Sequence, residues 1–263
     1  MKLKALGLKM ALTTLGLAVC TAFAPVASAA PTQVHTSGEN SAQAGVRAQP
    51  SLGADSVTPF AVGKKVLSVG DSWAVHMEAG MQAASPGTYL YKAGQGGCGI
   101  LLPVDAAPGC NQWPTQWPRL MNDYRPDAVL LMVAQWDTLP QKTAWNTPPR
   151  DLTDPVQQQR FTANLDRAIG ILSAWNTPVY LMNSQRIHEA SGREMNRLIE
   201  DAVRRHANAH LLNVRDQLCE GSICPNSIRG IPVYDVTWHT TPAAEKRLGA
   251  WILNQMFQPG YRG

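Results

Sequence analysis

Five short apolar runs, each followed by an amphipathic stretch, constrain this chain more than any other feature. The runs are VLSVG (66–70), TYLY (88–91), AVLLMVA (128–134), PVYLMN (178–183) and AHLLNV (209–214). They are short and rich in Val, Leu and Tyr, as expected of strands buried on both faces. The intervening segments predict helices over 72–84, 112–124, 155–174, 189–207 and 242–257. In the fourth, Met195, Leu198, Ile199 and Val203 share one helical face and charged residues take the other. The fifth opens with Thr241-Pro242, a cap residue followed by proline at the first helical position. Alternating strands and helices make an α/β fold, with a roughly five-stranded parallel sheet covered on both faces. Ligands of such sheets bind beyond the carboxyl ends of the strands, so chemistry is expected in the loops that follow them.

Residues 1–29 read as a signal peptide. A basic start (MKLK) precedes apolar residues from Ala11 to Phe23, and Ala27-Ser28-Ala29 has the small residues of a cleavage site. A cut after Ala29 makes Ala30 the first mature residue; one residue later, Pro31 would stand there. The apolar core is too short for a good membrane span. Cys20 suggests lipidation, but Val19 stands before it where a lipidation site wants a small residue. No later segment approaches a spanning length, so the expected product is exported to the periplasm, cell envelope or medium without stable membrane insertion. Residues 30–62 are rich in Ser, Ala, Gly, Pro and Gln without apolar periodicity and read as a flexible linker. The folded domain is expected over 63–263.

Lys2, Lys4 and Lys9 lie in the leader and account for three of the net charges in the total of +4, which leaves the remainder near neutral. A nucleic-acid partner is therefore not expected. Loss of the leader also leaves Cys98, Cys110, Cys219 and Cys224. Four cysteines in an exported chain imply two disulfides with three possible connectivities, and proximity favours Cys98–Cys110 and Cys219–Cys224. Zinc is the competing reading, but neither spacing is CxxC and no histidine adjoins either pair.

Gly70-Asp71-Ser72 follows the first strand. A serine there stands at a helix N-terminus, where unpaired N–H groups and partial positive charge gather. Near the other end, Asp235-Val236-Thr237-Trp238-His239 puts a carboxylate and an imidazole in one loop before the last helix. A serine nucleophile needs a base within hydrogen-bond reach, and the base needs an orienting acceptor. Ser72, His239 and Asp235 can supply such a set. His76, His188, His206 and His210 lack this context.

These blocks, with the glycine-rich segment Ala93–Gly99 after the second strand, resemble the SGNH (GDSL-like) hydrolase superfamily over roughly residues 64–257. The resemblance implies a flavodoxin-like three-layer α/β/α sandwich. It also implies an oxyanion hole made by the N–H of Ser72, a glycine N–H and an asparagine side chain. Gly97 best matches the glycine, with Gly96 the neighbouring alternative. After the third strand the family has Gly-x-Asn-Asp, where this chain has Ala134-Gln135-Trp136-Asp137. Trp136 takes the asparagine position, either donating its indole N–H or walling the pocket, and Gln135 is a weaker substitute. The family spaces acid and base as Asp-x-x-His, but here three residues separate Asp235 from His239. Either the loop bulges to absorb the extra residue or a backbone carbonyl orients the imidazole.

Trp136, the Cys219/Cys224 pair and Val233-Tyr234-Asp235 narrow the resemblance to the extracytoplasmic SGNH domains of membrane acyltransferases, which are associated with O-acetylation of cell-surface polysaccharides. The implied activity is that of a secreted serine esterase on O-acyl, chiefly O-acetyl, groups of a carbohydrate. Its substrate is an acylated carbohydrate or small ester, and no metal or organic cofactor is required. The rivals are O-acetyl transfer by the same triad and a non-catalytic carbohydrate-binding protein on a degenerate scaffold. Trp73, Trp113, Trp117, Trp136 and Trp238 are candidates for a sugar-stacking platform, or for ordinary packing.

Overall fold

The computed structural model describes residues 50–133, 136–185, 189–221 and 223–260. The leader with Cys20, the first part of the linker, Gln135 and His188 lie outside the described residues.

Five parallel strands form the central sheet: β1 (Lys65–Gly70), β2 (Tyr89–Gly94), β3 (Ala128–Met132), β4 (Val179–Met182) and β5 (Ala209–Leu212), in the order β2-β1-β3-β4-β5. The helices are α1 (Ser72–Ala84), α2 (Trp113–Tyr124), α3 (Pro155–Leu172), α4 (Ala190–Arg205), the short α5 (Val214–Leu218) and α6 (Pro242–Phe257). A two-residue hairpin, β6 (Ser227–Ile228) with β7 (Ile231–Pro232), precedes the last loop.

Strand side chains alternate between two cores, as the two-residue period requires. Ala128, Leu130 and Met132 of β3 pack with α1 and α6 on one face; Val129 and Leu131 pack with α2, α3 and α4 on the other. The result is a three-layer α/β/α sandwich. The apolar stripe expected on α4 faces the sheet, with Met195, Leu198 and Ile199 buried.

The expected linker ends earlier than residue 62. From Pro50 the chain lies on the domain: Leu52 is fully buried in the α1/α6 core, and its N–H donates to the Gln217 carbonyl. Ala54 N–H donates to Arg247 O, and Thr58 N–H to the Asn254 side chain. One leucine in a polar stretch leaves no periodicity to read, yet it is enough to anchor the strap.

Candidate active site

The order β2-β1-β3 sets the loops after the first three strands side by side at one sheet edge. Gly70 closes β1 at φ +130°, and a Cβ there would fall 1.8 Å from the Met132 carbonyl oxygen. Only glycine lets β1 turn so close to β3. Asp71, fully buried, caps α1 by accepting from Trp73 N–H at 2.9 Å. Its second oxygen accepts from Trp136 N–H at 3.2 Å, which ties the first loop to the third. Ser72 is thereby the first residue of α1, where a backbone N–H has no intrahelical acceptor.

His239 reaches this serine from 167 residues away: its Nε2 lies 2.9 Å from Ser72 Oγ. The approach depends on α1 and α6 packing backbone to backbone. A Cβ on Gly80 would fall 2.1 Å from Glu245 O, and one on Gly249 would fall 2.3 Å from Gly80 C. The helices come together only because both positions lack side chains.

The loop carrying His239 is pinched by an antiparallel bridge between Tyr234 and Thr240 and by Asp235 N–H donating to His239 O at 2.8 Å. Asp235 does not meet the imidazole. Its Oδ1 accepts from Thr237 N–H (2.7 Å), the Thr237 hydroxyl (2.6 Å) and His239 N–H (3.1 Å). Thr237 Oγ1, 2.9 Å away, is what faces His239 Nδ1. The loop therefore does not bulge to restore the family contact, and a hydroxyl, not a backbone carbonyl, stands at Nδ1. The signal in the sequence is a threonine two residues after an aspartate, a spacing that favours local side-chain turns.

His76, one helical turn after Ser72, stacks on the His239 ring with centroids 4.4 Å apart and planes 15° apart. Its Nδ1 pairs with the buried Glu245 carboxylate of α6. Burial, then the neighbouring His76, hold the His239 imidazole below its usual value of 6.5, against the opposing pull of Asp235, Asp71 and Glu245. Asp235 is held below the usual carboxylate value, first by the Thr237 hydroxyl. His206 instead pairs with Asp166, and His210 stacks on Tyr180.

After β2, Cys98 N–H donates to Gln95 O across a turn whose third residue, Gly97, has φ +75°, as a type II turn demands. A Cβ on Gly96 would lie 3.9 Å from Ser72 Cβ, so this turn flanks the serine. The disulfide Cys98–Cys110 holds it from behind, and Cys219–Cys224 closes the loop after α5. Buried Asp137 accepts from Ile100 N–H (3.0 Å) and Leu101 N–H (2.9 Å), with burial pushing its carboxyl up to about 7. Trp136 sits at the rim, 42% exposed, and Trp238 is 66% exposed in the left-handed region at φ +64°. Trp73, Trp113 and Trp117 are buried and serve packing. Among the described residues, no helix is long and apolar enough to cross a membrane.

No curated protein sequence matches the chain. An α/β hydrolase from the metagenome of Lake Arreo, Spain, shares the fold at TM-score 0.50 and 15% identity, over 75% of this chain and 96% of that one. A variant acetyl-xylooligosaccharide esterase from Geobacillus stearothermophilus does so at TM-score 0.50 and 14% identity, over 78% and 100%. A carbohydrate acetylesterase from Sinorhizobium meliloti gives TM-score 0.48 and 15% identity, over 73% and 97%. The family described as "SGNH domain (fused to AT3 domains)" matches residues 40–188, more than half of the chain. With that match and this fold, the chain belongs to the SGNH domain family.

Proposed function

We propose that this protein is an exported serine esterase that removes O-acetyl groups from a carbohydrate through an acyl-serine intermediate. The observation that carries the reading is His239 Nε2 at 2.9 Å from Ser72 Oγ, at the N-terminus of α1. Ser72 Oγ attacks the acyl carbonyl carbon while its proton passes to His239 Nε2. The tetrahedral oxyanion faces the N–H groups of Ser72 and Gly97, donors of a kind worth about 3–4 kcal/mol each. Collapse breaks the bond to the sugar oxygen, which takes the proton from Nε2. Water then attacks the acyl-serine, giving its proton to Nε2, and Ser72 is released with that proton.

Exposed Trp136 and Trp238 wall the site with faces suited to sugar rings. The two disulfides fit an oxidising compartment, consistent with export after removal of residues 1–29. A second reading, transfer of the acyl group to a sugar hydroxyl instead of water, is favoured by the family's description as SGNH domains fused to AT3 domains.

A fluorophosphonate probe should label wild type and not Ser72→Ala. Wild type given acetylated xylo-oligosaccharides should release acetate; acetyl appearing on a second sugar would identify transfer. No labelling and no turnover of either glycan or p-nitrophenyl acetate would leave a binding protein as the better description.

A further inference from the structure

We propose that Thr237 is the positioning residue of this site, its hydroxyl standing between the Asp235 carboxylate and the His239 imidazole and fixing which ring nitrogen carries the proton. The proposal rests on the reading of Ser72 as nucleophile and His239 as base.

Counting protons fixes the tautomer. Thr237 Oγ1 has one proton and two polar neighbours, Asp235 Oδ1 at 2.6 Å and His239 Nδ1 at 2.9 Å. An ionised carboxylate only accepts, so the hydroxyl proton goes to Asp235. Towards Nδ1 the hydroxyl then offers a lone pair, and Nδ1 must be the nitrogen that bears hydrogen. A neutral imidazole has one N–H, which leaves Nε2 bare, and Nε2 is the nitrogen facing Ser72 Oγ. The reverse assignment sets lone pairs of Oγ1 and Oδ1 against each other at 2.6 Å. It also aims an Nε2–H at the serine, where it can take no proton.

The charge effect follows the same path. When Nε2 receives the serine proton, the Nδ1–H···Oγ1 bond strengthens, and Asp235 keeps the hydroxyl dipole turned to favour the cation. Residues 235, 237 and 239 alternate along a loop closed at Tyr234–Thr240, which sets the hydroxyl between the carboxylate and the ring. Asp235 Oδ1 is meanwhile engaged by two loop N–H groups as well as by the hydroxyl.

The test compares wild type with Thr237→Val, which keeps the shape without the hydroxyl, and Thr237→Ser, which keeps the hydroxyl. On p-nitrophenyl acetate, Thr237→Val should lose roughly tenfold or more in kcat with KM unchanged, and Thr237→Ser should recover most of it. The acid limb of kcat/KM should move to lower pH in Thr237→Val, because the imidazolium loses its acceptor. The other groups facing the ring, Asp71, His76 and Glu245, are the same in all three proteins. A part played only in loop shape would raise KM and leave the limb in place.

Nitrogen-15 NMR of the imidazole reads the tautomer directly and depends on neither turnover nor variant folding. Wild type at a pH where His239 is neutral should show Nδ1 protonated and Nε2 bare. The Nε2–H tautomer in wild type, or full kcat with an unmoved limb in Thr237→Val, would overturn the proposal. An unlabelled, inactive wild type would instead overturn the esterase reading, with the tautomer still deciding the role of Thr237.

Discussion

His76 contributes to the site without touching the serine. It stacks on the face of His239, is paired with Glu245, and helps hold the His239 imidazole below 6.5. A base must be neutral to accept a proton, so the acid limb of kcat/KM should lie below the ordinary imidazole value. His76→Gln removes the neighbour that, after burial, holds the His239 imidazole down, so the His239 pKa should rise. The limb should therefore shift upward, towards about 6.5. A pH–rate profile that shifted downward, or not at all, would show that His76 does not tune the base. The sequence showed Ser72 and His239 because each sits at a recognisable place, a strand-to-helix turn and a helix entry. His76 and Glu245 carried no such mark, since their meeting depends on how α1 and α6 pack. Thr237 lay in plain view, but its hydroxyl acquires meaning only once Asp235 is seen to bond that hydroxyl and the loop N–H groups instead of the ring.

The packing of α1 against α6 delivers the imidazole to the serine, and its critical residues are glycines. Gly80 meets the Glu245 carbonyl and Gly249 meets the backbone of Gly80 at distances that admit no Cβ. Gly80→Ala is thus an overpacking change against rigid backbone, with a cost of about 1–3 kcal/mol. The helices can relieve it only by separating, which lengthens the Ser72–His239 contact. Chemical denaturation should show the lost stability, and kcat should fall further than KM rises at a temperature where the variant stays folded. Unchanged stability and unchanged kcat together would show the interface to be looser than described. The five sheet strands and the five long helices were legible from periodicity, with ends within two residues except at β2, which runs three residues further to Gly94; α5 and the β6–β7 hairpin were not read. The intimacy of this helix pair was not, because a glycine in a helix reads the same whether it lies under a backbone or in solvent.

At the scale of the whole molecule, the departure from what composition implies is the N-terminal strap. Composition put the domain boundary at residue 63, yet Leu52 is fully buried and residues 52–58 bond to Gln217, Arg247 and Asn254. Two of those partners lie on α6, the helix that follows the His239 loop, so the strap braces the same element that completes the site. Hydrophobic burial of one leucine is a small signal in sequence and a large one in energy: Leu52→Ala should cost about 2–5 kcal/mol. A chain beginning at Gly63 loses that contact and the backbone bonds besides. A loss near 3 kcal/mol corresponds to a melting point lower by roughly 6–12 °C for a domain of this size. A chain beginning at Pro50 should melt with the mature protein, because every described strap contact is retained. If chains starting at 50 and at 63 melted together, the strap would be an appendage and the boundary read from composition would stand. If they differ as expected, the shorter chain should also lose p-nitrophenyl acetate hydrolysis at a lower temperature, since the bracing of α6 and the placement of His239 fail together.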